Sequence, residues 1–373
     1  MMLKVKLSHR LGDFRLDAEF EADGNSITGL FGKSGAGKSS LINMVAGLVS
    51  PDCGYISIGK DVLFDAKKGI NLPAEKRRMG YIFQDSRLFP HMNVRANLTY
   101  GMTGSSSGGG SSNEEMSFDR VVDLLGIASL LDRRPKNLSG GEKQRIAIGR
   151  ALLSNPRLLL MDEPLASIDV QRRNEILPFI ERLRDEIGMM VIYVSHAIEE
   201  VIHLADKMVL LSNGRIAATG GVEEIMSRLD LHPLTGRFDT GAVLSTTFSR
   251  YDDVFDIGEL AFGGGTFRVT GVNLPAGTPL RAHVRARDVS LMLARPEGTS
   301  ILNVFEGAIT EIRDDGGSQI DILMDIGAPL IARITRKSFT DLELSEDKTV
   351  FALIKAVAID RRSLGGQPIS GAR

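Results

Sequence analysis

The sequence is poor in cysteine and tryptophan: its 373 residues include one cysteine, Cys53, and no tryptophan. A single thiol excludes an internal disulfide and a cysteine-based metal site. No apolar run approaches the roughly 18 residues that a membrane-spanning helix needs, and the N-terminus lacks the apolar core of a secretory signal. If the protein works at a membrane, we therefore expect a partner to hold it there.

The chain also lacks an excess of charge of either sign. Its 45 basic and 47 acidic residues give a net charge of -2, so nothing predicts a general nucleic-acid-binding surface. Hydrophobic residues make up 43% and charged residues 25%, which is typical of globular proteins. At roughly 150 residues per domain, the length allows two or three domains.

A glycine-rich stretch at residues 32–39 fits the pattern G-x-x-x-x-G-K-[ST]. An apolar strand at 27–31 precedes it, and a helix with apolar positions at 41, 42, 45 and 46 follows. Backbone N–H groups and the helix N-terminus would face a phosphate there, so an accidental glycine turn is disfavoured. The predicted contacts are Gly32, Lys33, Ser34, Gly35, Ala36, Gly37, Lys38, Ser39 and Ser40, with Lys38 on the β- and γ-phosphates and Ser39 on Mg²⁺.

Two acidic residues, Asp162 and Glu163, close the apolar strand at 158–161. In proteins with this kind of loop, the first acid completes the Mg²⁺ site, here with Ser39. The second acid is placed to orient or deprotonate the attacking water. A solvated pair of carboxylates is the alternative, and the phosphate loop upstream disfavours it.

The stretch LSGGEKQR at 138–145 begins a helix. Ser139 and Glu142 are spaced for a capping box. Gly140 and Gly141 in the first turn each weaken a helix by about 1 kcal/mol relative to alanine. We therefore expect a ligand to approach this bare helix N-terminus closely.

Together these motifs resemble the ATP-binding-cassette (ABC) transporter ATPases, over about residues 1–230. In chain order they are similar to the Walker A motif at 32–39, the Q-loop at Gln84, the signature motif at 138–145, the Walker B motif at 158–163, the D-loop at 165–169 and the switch histidine His196. The D-loop departs from the usual pattern, with Ala166 and Ser167 where Ser and then Ala is usual and Ile168 where Leu is.

The resemblance implies an α/β fold of the P-loop NTPase, ABC ATPase type with a helical subdomain, over residues 1–234. Strands alternating with helices favour a largely parallel sheet with both faces covered. The Gly/Ser-rich segment 103–113 predicts a flexible insertion. Regularly spaced short strands beyond about residue 235 predict a small all-β barrel or sandwich at 235–373. The resemblance implies that this second domain is OB-like and regulatory.

The resemblance further implies a head-to-tail homodimer that binds ATP and Mg²⁺ at its interface. The implied nucleotide contacts are Lys38 and Ser39 from one subunit, Ser139, Gly140 and Gly141 from the other, and Asp169. Glu163 would be the general base, His196 would contact the γ-phosphate, and Gln84 would touch Mg²⁺ or water and sense a membrane subunit. Mg²⁺ would be held by Ser39, Gln84 and Asp162.

One position departs from the family pattern. Many members stack adenine on an aromatic residue near the N-terminus, and Leu11 falls where that aromatic is usual. Phe14 is the nearest aromatic ring and is equally well explained as a core residue.

Two regions resemble molybdate importers in particular. Residues 88–98 are similar to the importer branch, and 94–101 are most similar to its molybdate group. Segments at 300–304, 331–338 and 354–357 resemble the molybdate-binding Mop/TOBE domain, with a core at about 280–362. This resemblance implies two membrane permease subunits, a periplasmic or extracellular molybdate-binding protein, and a peripheral location on the cytoplasmic face of the bacterial inner membrane.

Bound molybdate or tungstate would need hydroxyl, N–H and cationic donors in that second domain. The candidates are Ser300, Asn303, Thr335, Lys337, Ser338 and Lys355. Ordinary turn and strand residues of a small barrel are the alternative.

The leading hypothesis is therefore an ATPase subunit that drives molybdate uptake, with feedback by bound oxyanion. Import of sulfate, thiosulfate or ferric ion is the alternative within the class. A soluble ABC ATPase of DNA repair or translation is less favoured, because such proteins carry two cassettes or a long coiled-coil insertion. An oxyanion store with vestigial hydrolysis ranks last, because every catalytic position is filled.

Overall fold

The structure is a computed structural model that describes residues 1–104, 117–166, 168–235, 240–359 and 364–365. The chain separates into two compact units, Met1–Thr219 and Gly220–Arg373. The functional domain bounds suggested by the sequence, 1–234 and 235–373, stay a prediction. Almost all of the predicted Gly/Ser insertion 103–113, Ser167 of the D-loop and residues 360–362 of the Mop/TOBE core lie outside the described residues.

In the first unit, one mixed sheet carries helices. Its strands are β1 (Met2–Leu11), β2 (Phe14–Asp23), β3 (Ile27–Phe31), β4 (Cys53–Ile58), β5 (Asp61–Asp65), β6 (Ile70–Asn71), β7 (Met79–Ile82), β8 (Leu158–Asp162), β9 (Val191–Ser195), β10 (Lys207–Ser212) and β11 (Arg215–Gly221). Its helices are α1 (Lys38–Ala46), α2 (Val94–Tyr100), α3 (Phe118–Leu125), α4 (Gly140–Leu152), α5 (Val170–Asp185) and α6 (Ile198–Leu204).

The strand order within the described residues is β6-β5-β4-β1-β2-β11-β10-β3-β9-β8-β7. Strands β10, β3, β9, β8 and β7 run parallel to one another, and β11 pairs in parallel with β2. Strands β2, β1, β4, β5 and β6 form an antiparallel meander. The prediction of a largely parallel sheet is therefore wrong for half of it, because short turns after β1, β4 and β5 return the chain directly and leave no room for a crossover helix.

The parallel half of the sheet contains the most fully buried strands of the unit. All residues of β3 and β9 are buried, as are four of the five residues of β8. Continuous apolar strands of this kind are typical of a sheet covered on both faces. Helix α1 packs its buried Leu41, Ile42, Val45 and Ala46 into this core, which confirms the predicted apolar face.

The helices after β7 follow the sequence pattern with one correction. The helical pattern of the sequence over 116–131 predicts one helix, but α3 ends at Leu125, and a 3₁₀ turn follows at Ala128–Leu130. Gly126 adopts a left-handed φ of 59° and caps the helix with its N–H, which is the usual way for a glycine to end one. None of the described helices is both long and apolar enough to cross a membrane.

The second unit is mostly β. Its strands are β12 (Gly241–Asp252), β13 (Ile257–Phe262), β14 (Gly265–Thr270), β15 (Pro279–Arg285), β16 (Val289–Met292), β17 (Asn303–Arg313), β18 (Gln319–Asp325), β19 (Pro329–Thr335), β20 (Thr349–Ile354) and β21 (Leu364–Gly365). Its helices are α7 (Val222–Ser227), α8 (His232–Thr235) and α9 (Arg336–Asp341).

Two five-stranded sheets share the core of this unit, in the orders β14-β13-β12-β15-β21 and β16-β20-β17-β18-β19. The predicted all-β character is confirmed. The sequence reasoning did not identify β12 and β13, although Leu244, Thr246 and Phe248 alternate with exposed residues as a half-buried strand requires. It also missed α9, which starts at the N-cap Thr335.

Candidate nucleotide site

The sheet register brings the ends of four motif-bearing strands to one edge. Phe31 pairs with Ser195, Val194 with Asp162, and Met161 with Ile82, all in parallel. The segments that follow β3, β7, β8 and β9 therefore leave the sheet side by side. They carry the phosphate loop, Gln84, Glu163 and His196, and crevices at the carboxyl ends of parallel strands are where α/β folds bind ligands.

The phosphate loop bends tightly before α1. Gly37 holds a left-handed φ of 103°, a conformation that favours glycine. The Lys38 ammonium folds back and donates hydrogen bonds to the carbonyl oxygens of Gly32 (2.7 Å) and Lys33 (3.2 Å). Lys33, Ser34, Gly35 and Ser39 are exposed. The tip of the loop is thus exposed to solvent, whereas the Lys38 side chain is buried.

Lys38 is the buried cation of the site. Its side chain is 5% exposed, and its Nζ lies 3.8 Å from Glu163 Oε1. Burial lowers the pKa of Lys38, against the attraction of the Glu163 and Asp162 carboxylates. A desolvated ammonium facing an open loop is suited to binding a phosphate that replaces the lost water.

Ser39 and Asp162 meet as predicted from the sequence. The Ser39 hydroxyl donates to Asp162 Oδ1 at 3.0 Å. Burial raises the pKa of Asp162, and the hydrogen bonds from Ser39 and Tyr81 oppose that effect. A hydroxyl and a carboxylate oxygen are hard donors that suit Mg²⁺, which takes one or two protein ligands and completes its shell with water and substrate phosphates.

Glu163 and His196 form the second pair. His196 Nδ1 lies 3.0 Å from Glu163 Oε2, and the Glu163 N–H donates to the Val194 carbonyl at 3.0 Å. Glu163 has a left-handed φ of 47°, which is uncommon for a residue with a side chain. Strained backbone of this kind is often found at functional sites, and here it lies where the chain leaves β8.

Two further predicted contacts, Gln84 and Asp169, follow β7 and β8 in sequence. Gln84 is exposed, two residues after β7 ends. Asp169 is the N-cap of α5 and accepts a hydrogen bond from the Arg172 N–H at 3.1 Å. Their predicted contacts with Mg²⁺ and nucleotide stay proposals.

The signature stretch begins α4 as predicted, with a capping box. Glu142 N–H donates to the Ser139 hydroxyl at 3.2 Å, and the Ser139 N–H donates to Glu142 Oε2 at 2.7 Å. A Cβ added to Gly140 would meet nothing within 4 Å, and one added to Gly141 would touch only the side chains of Ile176 and Arg172, at 3.5 Å or more. Packing within the chain therefore does not require these glycines, so the expectation of an external ligand remains the explanation for them.

Phe14 and Leu11 occupy different environments. A Cβ on Gly37 would lie 3.2 Å from the Phe14 ring, so Phe14 packs against the phosphate loop. Leu11 is 40% exposed at the end of β1. Phe14 thus contacts the loop and Leu11 is exposed, and stacking of adenine on either residue stays a prediction.

The predicted oxyanion residues do not converge within the chain. Asn303 begins β17 and pairs with Ile354, next to Lys355, whereas Thr335 pairs with Gln319 beyond the far end of β17. Eleven residues of strand span about 33 Å. Ser300, Asn303 and Lys355 therefore lie near one end of the sheet, and Thr335, Lys337 and Ser338 lie near the other.

Several of these residues already have partners. The Asn303 amide is 1% exposed and bonds both the N–H and the carbonyl of Arg268, at 2.7 and 2.9 Å. Thr335 caps α9 by accepting from the Ser338 N–H at 3.1 Å, and Lys337 pairs with Asp341 at 2.8 Å. Ser300 and Lys355 are exposed.

The sequence reasoning missed two residues that organise the site. The Tyr81 hydroxyl contacts Asp162, and Glu200 accepts a hydrogen bond from the hydroxyl of Ser195, the residue before His196. A tyrosine three residues before Gln84 was a weak signal for the first. Glu200 gave no signal, since a glutamate in the first turn of a helix is ordinary.

The phosphate loop, the Ser39–Asp162 pair, the Glu163–His196 pair and the capped glycine helix on a mixed α/β sheet define an ABC-type ATPase. Residues 16–166 match the ABC transporter family, and residues 299–360 match the TOBE domain.

Curated relatives match nearly the whole chain. "Molybdenum import ATP-binding protein ModC" of Mesorhizobium japonicum is 47% identical over 371 residues, covering 99% of each chain. The protein of the same name from Brucella melitensis biotype 1 is 48% identical, covering 97% of this chain and 98% of that relative. The chain therefore belongs to the ABC transporter family, together with these proteins.

A solved structure is similar to part of the chain. CbiO1 from Clostridium perfringens, described as part of the ABC transporter complex cbiONQ, is 25% identical with a TM-score of 0.52. The match covers 61% of this chain and 92% of that one.

Proposed function

We propose that this chain is the ATP-hydrolysing subunit of an importer that takes up molybdate. The observation that carries the proposal is the meeting of Lys38, Glu163 and His196 at one edge of the sheet, in a chain 47% identical to a molybdenum import protein over nearly its whole length. Import of sulfate, thiosulfate or ferric ion stays the alternative within the class.

ATP binding would begin at the phosphate loop. The Lys38 ammonium would exchange its carbonyl partners Gly32 and Lys33 for the β- and γ-phosphate oxygens. Ser39 and Asp162 would hold Mg²⁺, with Gln84 contributing directly or through water. When bound, Mg²⁺ neutralises charge on the phosphates.

Hydrolysis would then depend on Glu163. Its carboxylate would orient the attacking water and accept a proton from it. The hydrogen bond with His196 fixes one carboxylate oxygen, and the other faces Lys38. His196 would contact the γ-phosphate and keep the reacting groups aligned.

A second copy of the chain would complete the site. Ser139, Gly140 and Gly141 would face the partner subunit's ATP, and we propose that Asp169 contacts the same nucleotide. The open first turn of α4 supports this assignment, because it offers backbone N–H groups to a phosphate. ATP would thus close a homodimer, and two membrane permease subunits would use that closure on the cytoplasmic face of the inner membrane.

The second unit would respond to the transported ion. We propose that molybdate or tungstate, delivered from a periplasmic or extracellular binding protein, also binds there as a feedback signal. Because the six candidate residues fall into two groups at opposite ends of one sheet, each group would need donors from another chain or from residues outside that set.

Uptake of radiolabelled molybdate by cells that lack the chromosomal copy tests the proposal. We expect wild-type protein to restore uptake and Glu163→Gln to fail at equal expression. Restoration of sulfate or iron uptake without molybdate uptake would instead favour the alternative importers. ATP turnover that never depends on membrane subunits would favour a soluble ATPase.

A further inference from the structure

Glu200 is a buried carboxylate with no role in the chemistry proposed above. It lies in the first turn of α6 and is 3% exposed. Its Oε2 accepts hydrogen bonds from the hydroxyls of Tyr193 and Ser195, both at 2.8 Å. Its Oε1 lies 3.2 Å from the Arg173 guanidinium. Glu200 thus joins Tyr193 and Ser195 of β9 to Arg173 of α5.

Ser195 carries this contact to His196. The Ser195 hydroxyl donates to Glu200 and also accepts the N–H of Ala197 at 3.0 Å. The backbone is thereby tied on both sides of His196, whose own side chain is 55% exposed. The hydrogen bond between Ser195 and Glu200 therefore stabilises the turn from which His196 projects.

Arg173 carries the contact to α5. Its N–H donates to the Asp169 carbonyl at 2.9 Å, so it lies in the first turn of that helix. Asp169 caps the same turn. A continuous chain of polar contacts therefore runs from the Asp169 end of α5 through Arg173, Glu200 and Ser195 to the turn of His196.

An apolar residue would fill the position of Glu200 at lower cost, since burying a carboxylate is unfavourable unless it is fully paired. A carboxylate, however, can fix the orientation of several hydrogen-bond donors at once. Burial first, and then the negative charge of Glu200, raise the pKa of Tyr193 well above its usual range, so Tyr193 stays a donor.

We infer that Glu200 is a positioning residue for His196, through which the Asp169 end of α5 sets the orientation of that histidine. The inference rests on the proposed function, because Asp169 is expected to face the partner subunit's ATP. Closure of the homodimer would thus be communicated to the γ-phosphate contact through fixed hydrogen bonds.

The test measures ATP hydrolysis by the full-length protein in its transport complex. Glu200→Gln keeps the size of the side chain but replaces one acceptor oxygen with a donor. A small displacement of a catalytic group costs up to about 100-fold, so we expect kcat to fall about tenfold. The ATP concentration for half-saturation should be unchanged, because Lys38 and its loop are untouched.

A double-mutant cycle separates positioning from general support of the fold. In a His196→Ala background, Glu200→Gln should cause no further loss of kcat. Arg173→Met, at a site 23% exposed, should lower kcat in the same way, and Arg173→Lys should restore most of it. Glu186→Gln and Arg182→Met each remove a more exposed ion pair at the C-terminal end of α5 and should leave kcat near wild type.

The outcomes are distinct. If wild-type complex hydrolyses ATP but the losses from His196→Ala and Glu200→Gln multiply, the positioning role is overturned and the proposed function stands. If wild-type complex hydrolyses no ATP, the proposed function fails and the inference with it. If Glu200→Gln does not fold, unchanged kcat in Arg173→Met overturns the inference.

Discussion

The Tyr81 hydroxyl lies 3.2 Å from Asp162 Oδ2 and 2.8 Å from the side-chain oxygen of Asn43. Burial, followed by the nearby Asp162 carboxylate, raises the pKa of Tyr81, so the hydroxyl stays protonated and donates. Ser39 binds the other oxygen of Asp162. The proposed Mg²⁺ ligand therefore has a hydroxyl within hydrogen-bond distance of each of its oxygens, and Tyr81 shares its single proton between Asp162 and Asn43.

Removal of the tyrosine hydroxyl should weaken the metal site more than the fold. A hydrogen bond contributes about 1 kcal/mol, or a factor of about five. We expect Tyr81→Phe to raise the Mg²⁺ concentration for half-maximal ATPase about fivefold, with kcat at saturating Mg²⁺ nearly unchanged. Mn²⁺ binding followed by electron paramagnetic resonance should weaken equally. Tyr55→Phe on β4 is the control, and an unaltered Mg²⁺ dependence of Tyr81→Phe would contradict the orienting role.

Glu163→Gln should separate binding from turnover. The amide keeps the size of the side chain but cannot take a proton from water, and general-base catalysis contributes about 10²–10⁴-fold. We expect hydrolysis to fall by that order while ATP still binds and the dimer stays closed. Equilibrium binding of labelled ATP and size-exclusion chromatography with ATP measure this, and hydrolysis at the wild-type rate would remove Glu163 from the role of base.

Gly140→Ala should harm function without harming the fold. A Cβ there meets nothing within 4 Å, and alanine favours a helix over glycine by about 1 kcal/mol. We expect unchanged or slightly higher thermal stability with loss of ATP-dependent dimerisation and hydrolysis. If hydrolysis persists, the second half of the site is not at this helix.

Gly149→Ala on the same helix serves as the opposite control. Its Cβ would lie 2.8 Å from Leu98 and 3.0 Å from Leu125, which overpacks the helical core. Overpacking costs about 1–3 kcal/mol. This variant should lose stability first, whereas Gly140→Ala loses activity first.

The parallel half of the sheet and the site at its edge could be predicted because both depend on local patterns. Continuous apolar runs such as 158–161 and the loop 32–39 are each explained within a few residues. The turn at 51–54 predicts an antiparallel strand at 55–59, and β4 confirms it. The short strands β5 and β6 were not predicted, because brief segments such as 61–65 and 70–71 carry little periodic signal.

Contacts between residues far apart in the sequence could not be predicted. Tyr81 meets Asp162 across two strands, and Glu200 meets Arg173 across two helices, so neither pair leaves a periodic signal. In the second unit, Asn303 is a predicted oxyanion donor because its segment, 300–304, resembles the molybdate-binding domain. The Asn303 amide joins β17 to Arg268 on β14, a pairing that only the tertiary structure shows.

A partly buried ion pair in the second unit, Asp321–Arg333, predicts a pH dependence of stability. Burial alone would raise the pKa of Asp321, but hydrogen bonds from Arg333 and His232 lower it to about 2, from an ordinary value of 3.8. Because the pKa is lower in the folded state, the stabilisation is complete above pH 3.8 and is lost as the pH falls through about 2. A shift of this size corresponds to about 2 kcal/mol.

Asp321→Asn should therefore destabilise the protein at pH 7 and lose that disadvantage in acid. Urea unfolding followed by circular dichroism should show the midpoint of the variant below that of wild type at pH 7, with the difference shrinking as the pH approaches 2. Asp315→Asn, which removes the 45% exposed partner of Arg313, should change the midpoint little at any pH, because exposed ion pairs contribute little. If the unfolding midpoints of Asp321→Asn and wild type differ by the same amount from pH 7 to 2, the contact stabilises the protein through packing rather than through charge.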